Sequence, residues 1–153
     1  MPGSADRLAE IMSQFIDDPE SSHPYFFSAD RLEEYTANED EWLDPDVEVE
    51  ISPASGVRMP GMADRSRGRK AWWAGWVTWL EVWGEYRFRL RDWTELGDDV
   101  LVDTEVVAAG QLSGAPASIT VPQIFTIRDG RIAAVRMYGS RVEAIDAARE
   151  RGR

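Results

Sequence analysis

The 153-residue sequence predicts an α+β fold in which helices pack on one side of a curved antiparallel sheet. Three observations lead to this prediction. Apolar residues recur at helical spacing in three segments of the first half. One early segment alternates like a strand. The second half is a run of strand-type segments separated by short turns. No linker is long enough to separate two domains, so we expect one domain over residues 1–153.

Two helices are predicted before the first strand. The first contains SADRLAEIMSQFIDD and ends at Pro19. Four apolar residues at offsets of 3, 4 and 7 form one face of this helix: Leu8, Ile11, Met12 and Phe15. The second helix is acidic, reads SADRLEEYTANEDEW, and ends at the Asp44-Pro45 pair because a residue before proline avoids the helical region.

A strand and a tryptophan-rich helix follow. Residues 47–52 read VEVEIS, and this strict alternation predicts a strand with its three apolar residues on one face and its two glutamates on the other. A loop rich in glycine, proline and arginine comes next. The third helix begins at Gly68 with the sequence GRKAWWAGWVTWLEVW.

Five of the seven tryptophans lie in this third helix. Trp72, Trp76, Trp79 and Trp83 form one stripe along it, and Trp73 begins a neighbouring apolar stripe. So wide an apolar arc predicts a helix that is nearly surrounded by protein. The tryptophans either belong to a solid core, with a dimer or lid contact, or form the wall of a cavity in which a flat ligand stacks. We expect Trp73 and Trp83 in the core, and both interpretations are open for Trp76.

The second half predicts four strands and a closing helix. The strands begin near Tyr86, Val100, Ile119 and Arg131, and Arg128-Asp129-Gly130 forms the tight hairpin turn between the last two. The short helix VEAIDAARERGR ends the chain. These long, consecutive strands indicate an antiparallel sheet.

Composition excludes several classes of function. The formal net charge is -11, which argues against nucleic acid and anionic membranes as partners, because both attract basic surfaces. The chain has no cysteine and only one histidine, so thiol chemistry and a multi-histidine zinc site are excluded, and we expect no metal. No apolar run is long enough to span a membrane and no signal segment opens the chain, so we expect a cytoplasmic protein.

The order of several short motifs resembles that of the nuclear transport factor 2-like superfamily, and most of all its SnoaL-like, ketosteroid-isomerase-like branch. The motifs are Asp44-Pro45-Asp46-Val47-Glu48, Gly68-Arg69 at the start of the tryptophan-rich helix, Leu96-Gly97-Asp98-Asp99-Val100, the stretch from Val121 to Ile132, and Arg136-Met137-Tyr138.

The resemblance covers roughly residues 5 to 148. It implies a cone-shaped half-barrel closed by three N-terminal helices, around a mostly apolar cavity. It also implies a homodimer and chemistry that needs no cofactor. Activities in this branch include steroid isomerisation, polyketide ring closure and epoxide opening, so a small apolar molecule is the expected partner.

Two candidate hydrogen-bond donors follow from the resemblance. Gln123 occupies the position at which the isomerases carry an aspartic acid that donates to a developing oxyanion, and its amide is a neutral donor. Trp76 falls at a tyrosine of some isomerases, and its indole N–H is a donor too. Gln123 shares a strand face with apolar neighbours, which makes a polar residue there notable.

The resemblance gives less support for a catalytic base. The isomerases' general base falls on Ile51, one residue from Glu50, and a one-residue offset points Glu50 to the opposite face unless a bulge shifts the register. Asp103 and Glu105 are the other carboxylate candidates, and we expect both to face solvent or a partner subunit. His23 is predicted to lie in a surface turn, SSHPYFF, that could reach the cavity mouth.

Strand parity and the resemblance together predict the cavity wall. On the sheet side it comprises Val47, Val49, Ile51, Val121, Phe125, Val135 and Met137, and on the helix side Trp72, Trp76 and Trp79.

Three functional hypotheses follow. The first is a cofactor-independent isomerase, cyclase or hydratase acting on an apolar, ring-containing substrate, with Gln123, Glu50 and Asp103 as catalytic candidates. The second is a protein that binds a small hydrophobic ligand without catalysis. The third is a dimerisation module that uses the outer face of the sheet. An ionisable side chain inside the cone would favour the first, and a purely apolar lining around Gln123 would favour the second.

Overall fold

The computed structural model describes residues 3–58, 63–83, 86–109 and 116–151. Its helices are α1 (Ser4–Met12), α2 (Leu32–Ala37), α3 (Glu39–Trp42), α4 (Arg69–Trp83) and α5 (Arg141–Arg151), with short 3-10 turns at Ser13–Phe15 and Ala29–Arg31. Its strands are β1 (Tyr25–Phe27), β2 (Leu43–Ile51), β3 (Arg65–Arg67), β4 (Tyr86–Leu96), β5 (Asp99–Ala109), β6 (Pro116–Arg128) and β7 (Arg131–Met137).

The seven strands form one curled sheet in the order β1-β4-β5-β6-β7-β2-β3. Strands β4 to β7 are consecutive antiparallel neighbours, and β2 joins the other side of β7 in parallel. The sheet curls into a half-barrel, with α1 and α4 on its concave side. The predicted α+β fold with a curved sheet is therefore confirmed, although the β2–β7 pair makes the sheet mixed rather than wholly antiparallel.

Three local features differ from the sequence-based expectation. The acidic helix is two short helices that meet at Asn38. The segment YFF, which the sequence places in a turn, pairs with β4 as the edge strand β1. A second edge strand, β3, forms in the arginine-rich loop and pairs with β2. Strands of three residues carry too little alternation to be distinguished from loops by sequence pattern.

Two glycines stand where the chain needs positive φ. Gly68 has φ 95° directly before α4, and its N–H donates to the Val47 carbonyl at 2.8 Å, which fixes the helix start against β2. Gly130 has φ 76° and follows Asp129 with φ 55°, so the pair forms the predicted tight turn between β6 and β7. These turns set the register of the strands that line the concave face.

The core fills the concave side of the sheet. Leu8, Ile11 and Met12 of α1 are buried there, as the helical pattern predicts. Aromatic rings of four elements pack beside them: Phe15, Phe27, Tyr35 and Trp42. On the convex face, α5 buries Ala144 against three residues of the sheet end: Leu101, Ile124 and Tyr138. The convex face of β4 and β5 also carries charged residues: Arg87, Arg89 and Arg91 on β4 beside Asp103 and Glu105 on β5.

Candidate active or binding cavity

An apolar cavity of about 420 Å³ opens on the concave side of the sheet, between the sheet and α4. This volume lies within the range of small-molecule pockets. Eight residues predicted to bind a ligand contribute to its lining: Trp72, Trp76, Trp79, Ile51, Val121, Phe125, Val135 and Met137. Val49 also lines it, whereas Val47 is fully buried in the core beside it. Strand alternation thus brings the apolar faces of β2, β6 and β7 to one space.

The tryptophans of α4 form both core and cavity wall. Trp76 stacks on Phe27 with ring centroids 4.5 Å apart and on Tyr86 at 6.0 Å, so two aromatic neighbours fix its ring. Trp72 packs edge-on against Trp42 at 6.4 Å. Both tryptophans still contribute to the lining. The two interpretations of this helix are therefore not alternatives, because the same rings pack against the core and bound the cavity.

Trp73 faces another part of the structure. Its indole N–H donates to the Glu39 carboxylate at 2.7 Å, and its ring packs edge-on against Trp42 at 5.9 Å. Trp73 therefore attaches α4 to α3 and takes no part in the lining. The side chain of Trp83 lies outside the described part of the chain.

Gln123 is the central polar group of the lining. It lies on β6 between Val121 and Phe125, and all three line the cavity. The Thr104 hydroxyl donates to Gln123 Oε1 at 2.5 Å, from the neighbouring strand β5. The Gln123 amide NH₂ donates to no described residue, so its two N–H groups are available to a ligand. Gln123 therefore presents an oriented, neutral donor in an apolar space.

Two further donors were not anticipated from the sequence. Tyr86, at the start of β4, lines the cavity and is 4% exposed, and its hydroxyl hydrogen-bonds to no described residue. Burial raises the pKa of the Tyr86 phenol well above its ordinary 10, so the group stays protonated. The indole N–H of Trp72 is also buried without a partner in the described part of the chain. In the sequence, Tyr86, Phe88 and Leu90 alternate with arginines, which indicates an apolar strand face but does not show that the hydroxyl lacks a partner.

The described lining contains no carboxylate, imidazole, ammonium or guanidinium group. Its polar members, apart from Gln123, Tyr86 and the indoles, are hydroxyls: Ser66, Thr78 and Thr104. A general base for proton abstraction is therefore missing from the described cavity wall. What this arrangement can do chemically is hold an uncharged molecule and donate hydrogen bonds to its oxygen atoms.

Two of the three catalytic candidates lie outside the cavity. Glu50 points to the other face of β2, where it pairs with Arg65 at 3.2 Å and Arg136 at 3.6 Å. Asp103 lies on the convex face of β5, 3.1 Å from the Arg141 guanidinium. Neither side chain can serve as a base in this cavity, because regular strand alternation directs each of them to the opposite side of the sheet.

Glu105 belongs to a charged cluster on the convex face. Its carboxylate accepts from Arg89 at 3.0 Å and contacts His23 Nε2 at 2.8 Å, with Arg91 3.5 Å away. These partners, first of all the hydrogen bond from Arg89 and then that from His23, lower the pKa of Glu105 from its ordinary 4.5 to about 2. Arg87 forms a bidentate ion pair with Asp17. His23 therefore attaches the N-terminal loop, residues 16–24, to β5 on the side of the sheet away from the cavity.

The open side of the cavity runs along α4. Ala63 and Ala74 line the cavity and are also exposed to solvent, so the mouth lies between the segment before β3 and this helix. The side chains of α4 at the mouth are small: Ala71, Ala74, Gly75 and Thr78. A Cβ added at Gly75 would meet no atom within 4 Å. The mouth is therefore open at this point of the helix.

Metal and membrane sites find no support in the described residues. No group of three histidine, aspartate or glutamate side chains among them is placed to hold a metal ion. None of the described helices is long and apolar enough to cross a membrane.

Comparison with known proteins adds a family and a set of structural neighbours. Residues 30–135 match the SnoaL-like domain family. No curated protein sequence matches the chain. TerC, solved in co-crystals with polyporic acid, is 19% identical with a TM-score of 0.63, and the match covers 95% of this chain and 98% of TerC.

Two further structures show the same fold. IdmH from Streptomyces antibioticus, a proposed polyketide cyclase, is 16% identical with a TM-score of 0.62 over 96% of this chain and 98% of IdmH. A nuclear transport factor 2-like protein of unknown function from Burkholderia pseudomallei is 15% identical with a TM-score of 0.63, over 95% and 97% of the two chains. At these identities the likeness shows a common fold. Because the family match spans most of the sequence, the protein belongs to the SnoaL-like domain family.

Proposed function

We propose that the protein binds a small, uncharged, ring-containing apolar molecule in the cavity between α4 and the sheet, with the Gln123 amide as its polar anchor. One observation carries this proposal. The described part of the lining is apolar and free of charged side chains, yet it holds one amide whose oxygen accepts from Thr104 and whose NH₂ has no described partner. A cavity with few, oriented polar groups is typical of small-molecule sites.

The absence of charge from the described lining selects the class of ligand. Moving an ionised group from water into an apolar space is strongly unfavourable unless a counter-charge receives it. The described lining offers hydroxyl, amide and indole groups but no counter-charge. A ketone, quinone or ether oxygen is therefore favoured as the acceptor, and a carboxylate or ammonium group is disfavoured.

The relatives support a small organic ligand. TerC was co-crystallised with polyporic acid, and IdmH is described as a proposed polyketide cyclase. This chain shares their fold over nearly its whole length. Since one fold hosts many functions, these proteins support the kind of ligand and not its identity.

A second candidate function is cofactor-independent catalysis of an isomerase, cyclase or hydratase type. The observation that favours it is the pair of neutral donors, Gln123 and Tyr86, in one apolar cavity. Such donors stabilise negative charge that develops on a carbonyl oxygen in a transition state. Because no described base lines the cavity, this candidate requires a reaction in which water or another atom of the substrate accepts any proton that the substrate loses. Turnover of a ring-forming keto substrate without added cofactor would support it over simple binding.

Homodimer formation belongs to the same proposal and rests on the family resemblance. The convex face carries Arg87, Arg89 and Arg91 on β4 beside Asp103 and Glu105 on β5. Both of these acidic residues already pair with arginines of the same chain. Size-exclusion chromatography with light scattering tests the expectation directly, and a monomer would contradict it.

The experiment that tests the proposed function compares two probes of similar shape and different charge. We expect 4-acetylbiphenyl to bind saturably, as measured by calorimetry or by the fluorescence of the α4 tryptophans, and biphenyl-4-carboxylate to bind at least tenfold more weakly because its charge is buried without a partner. Gln123→Leu should weaken 4-acetylbiphenyl and leave unsubstituted biphenyl unchanged. Equal or tighter binding of the carboxylate, or no binding of either probe, would contradict the proposal.

A further inference from the structure

Tyr86 is a buried residue whose hydroxyl has no hydrogen-bond partner in the described part of the protein. Tyr86 is 4% exposed and lines the cavity, and its hydroxyl has no hydrogen-bond partner among the described residues. A polar group on a buried side chain that has no partner in the protein calls for an explanation. By contrast, the Tyr35 hydroxyl nearby donates to the Phe26 carbonyl at 3.0 Å. A ligand atom in the cavity would give Tyr86 the partner that Tyr35 finds in the protein.

The ring of Tyr86 is held in place by its aromatic neighbours. Trp76 stacks on it at 6.0 Å with an interplanar angle of 8°, and Phe27 stacks at 5.7 Å with 21°. Trp79 meets its edge at 6.1 Å. These three contacts hold the ring, and with it the hydroxyl, in one orientation. The donor is therefore pre-positioned, which reduces the entropy that a ligand loses on binding.

Tyr86 and Gln123 lie far apart along the same cavity. On the shared neighbour β5, Tyr86 pairs with Ala108 and Gln123 pairs with Val102. These two partners are six residues apart, which corresponds to about 20 Å of strand. Both side chains nevertheless line one continuous space. The cavity therefore extends along the sheet, and its two neutral donors lie at different points along it.

The protonation state of the phenol keeps it a donor. Burial raises the pKa of Tyr86 well above its ordinary 10. A phenol with a raised pKa stays neutral at ordinary pH, so it offers an O–H to an acceptor oxygen. No described charged group lines the space around it. A ligand oxygen beside Tyr86 is therefore a neutral acceptor, like a ligand oxygen beside Gln123.

We propose that Tyr86 is a second anchoring donor, and that the ligand is an elongated, uncharged, ring-containing molecule with an acceptor oxygen at each end, one held by Gln123 and the other by Tyr86. This inference rests on the proposed function, since it names the ligand class of the same cavity. It adds a polar subsite between α4 and β4 that determines ligand length and the placement of the second oxygen. The aromatic rings between the two donors hold the apolar body of the ligand.

The test uses three neutral probes that differ only in their acceptors: 4,4′-diacetylbiphenyl, 4-acetylbiphenyl and biphenyl. Dissociation constants are measured by calorimetry for the wild-type protein, Tyr86→Phe, Gln123→Leu and the double variant. We expect the diacetyl probe to bind the wild type most tightly, and Tyr86→Phe to weaken it about tenfold while leaving biphenyl unchanged. In the double variant the three probes should bind alike.

Three results would overturn the inference in distinguishable ways. If the wild type binds none of the probes, the proposed function fails and this inference fails with it. If the wild type binds them but the second acetyl group adds no affinity, only the second anchor is wrong. If Tyr86→Phe weakens all three probes equally, Tyr86 has a packing role and does not recognise an oxygen.

The stability of Tyr86→Phe is an independent measurement. The Tyr86 hydroxyl makes no hydrogen bond to a described residue, so its removal breaks no such bond, and the variant should have a melting temperature equal to or above that of the wild type. Tyr35→Phe is the matched control, because its hydroxyl is hydrogen-bonded, and its melting temperature should fall. A loss of stability in Tyr86→Phe as large as in Tyr35→Phe would show that the Tyr86 hydroxyl is satisfied by the protein and would contradict the inference.

Discussion

At the scale of single residues, the chemistry of the cavity depends on which polar atoms already have partners. The Gln123 oxygen is engaged by Thr104, so the amide NH₂ is the atom left to a ligand. Thr104 is itself 7% exposed, and it sits between Asp103 and Glu105, which face the other side of β5. The hydroxyl of Thr104 therefore acts through Gln123, as a positioning group.

This role predicts the behaviour of two Thr104 variants. Thr104→Val removes the hydroxyl but keeps the side-chain shape, so the Gln123 amide loses its fixed orientation. We expect the affinity for 4-acetylbiphenyl to fall about tenfold, close to the effect of Gln123→Leu. Thr104→Ser should retain wild-type affinity because it keeps the donor. Calorimetry with biphenyl, which has no acceptor, provides the control, and equal weakening of both probes by Thr104→Val would rule out a positioning role.

Glu105 predicts a pH dependence of stability. Its pKa is depressed in the folded state to about 2 by Arg89, His23 and Arg91. A group with a depressed folded pKa stabilises the protein above its unfolded pKa of 4.5, and this contribution is lost as pH falls from there through about 2. Glu105→Gln should therefore lower the urea midpoint at pH 7.

The difference between Glu105→Gln and the wild type should shrink steadily below pH 4.5, as followed by urea titrations between pH 7 and pH 3. Glu48→Gln is the matched control, because Glu48 is exposed and has no ion pair among the described residues. If the difference in urea midpoint between the wild type and Glu105→Gln stays constant over this pH range, the carboxylate charge is not the cause of the difference in stability.

At the scale of elements, α4 has three faces with different tasks. One face carries Trp72, Trp76 and Trp79 toward the core and cavity. A second carries Trp73, which is bonded to α3. The third is made of small residues around Gly75 and borders the mouth. Glycine costs about 1 kcal/mol relative to alanine inside a helix, and no neighbouring atom requires it here.

The open space at Gly75 predicts a stabilising substitution. Gly75→Ala should raise the free energy of unfolding by about 0.5–1 kcal/mol, because the methyl group reaches no neighbour and the unfolded chain loses conformational freedom. Urea denaturation followed by tryptophan fluorescence measures the change. The affinity for 4-acetylbiphenyl should be unchanged, since one methyl group leaves the mouth open. A destabilised Gly75→Ala would mean that a close contact exists at this position.

Elements also show where sequence pattern was sufficient and where it was not. Alternation in β2, β6 and β7 identified the residues of the sheet that line the cavity, because strand geometry fixes which side chains share a face. The edge strands β1 and β3 are too short to have a pattern. The parallel pairing of β2 with β7 joins segments separated by more than eighty residues, which no local signal encodes.

The sequence pattern also did not reveal which polar side chains have hydrogen-bond or ion-pair partners. In the sequence, Thr104 and Tyr86 cannot be distinguished from other residues of apolar strand faces. Thr104 matters because its hydroxyl donates to Gln123, and Tyr86 matters because its hydroxyl has no described partner. Likewise, Glu50 and Asp103 are carboxylates on plausible strands, but their faces turn them toward Arg136 and Arg141. Strand alternation predicted both on the outer side of the sheet. The pairing of β2 is regular from Glu48 to Ile51, so Glu50 keeps the predicted orientation.

At the scale of the whole molecule, the sheet separates two kinds of chemistry. Its convex side carries ion pairs that attach the N-terminal loop and α5. Its concave side holds an uncharged cavity with neutral donors. A single domain over residues 1–153 stays a prediction, and it agrees with one sheet that includes strands from Tyr25 to Met137. Segregation of charge from the cavity is what favours a neutral ligand.

The measurement that tests the central claim most directly is calorimetric titration of 4-acetylbiphenyl into the wild-type protein, Gly75→Phe and Glu81→Phe, at several temperatures. Gly75→Phe places a ring in the open mouth, whereas Glu81→Phe adds the same ring at an exposed position of α4 that does not line the cavity. We predict saturable binding with a negative heat-capacity change in the wild type and in Glu81→Phe, and loss of binding in Gly75→Phe. Undiminished binding by Gly75→Phe, or no saturable binding by the wild type, would contradict a ligand site in this cavity.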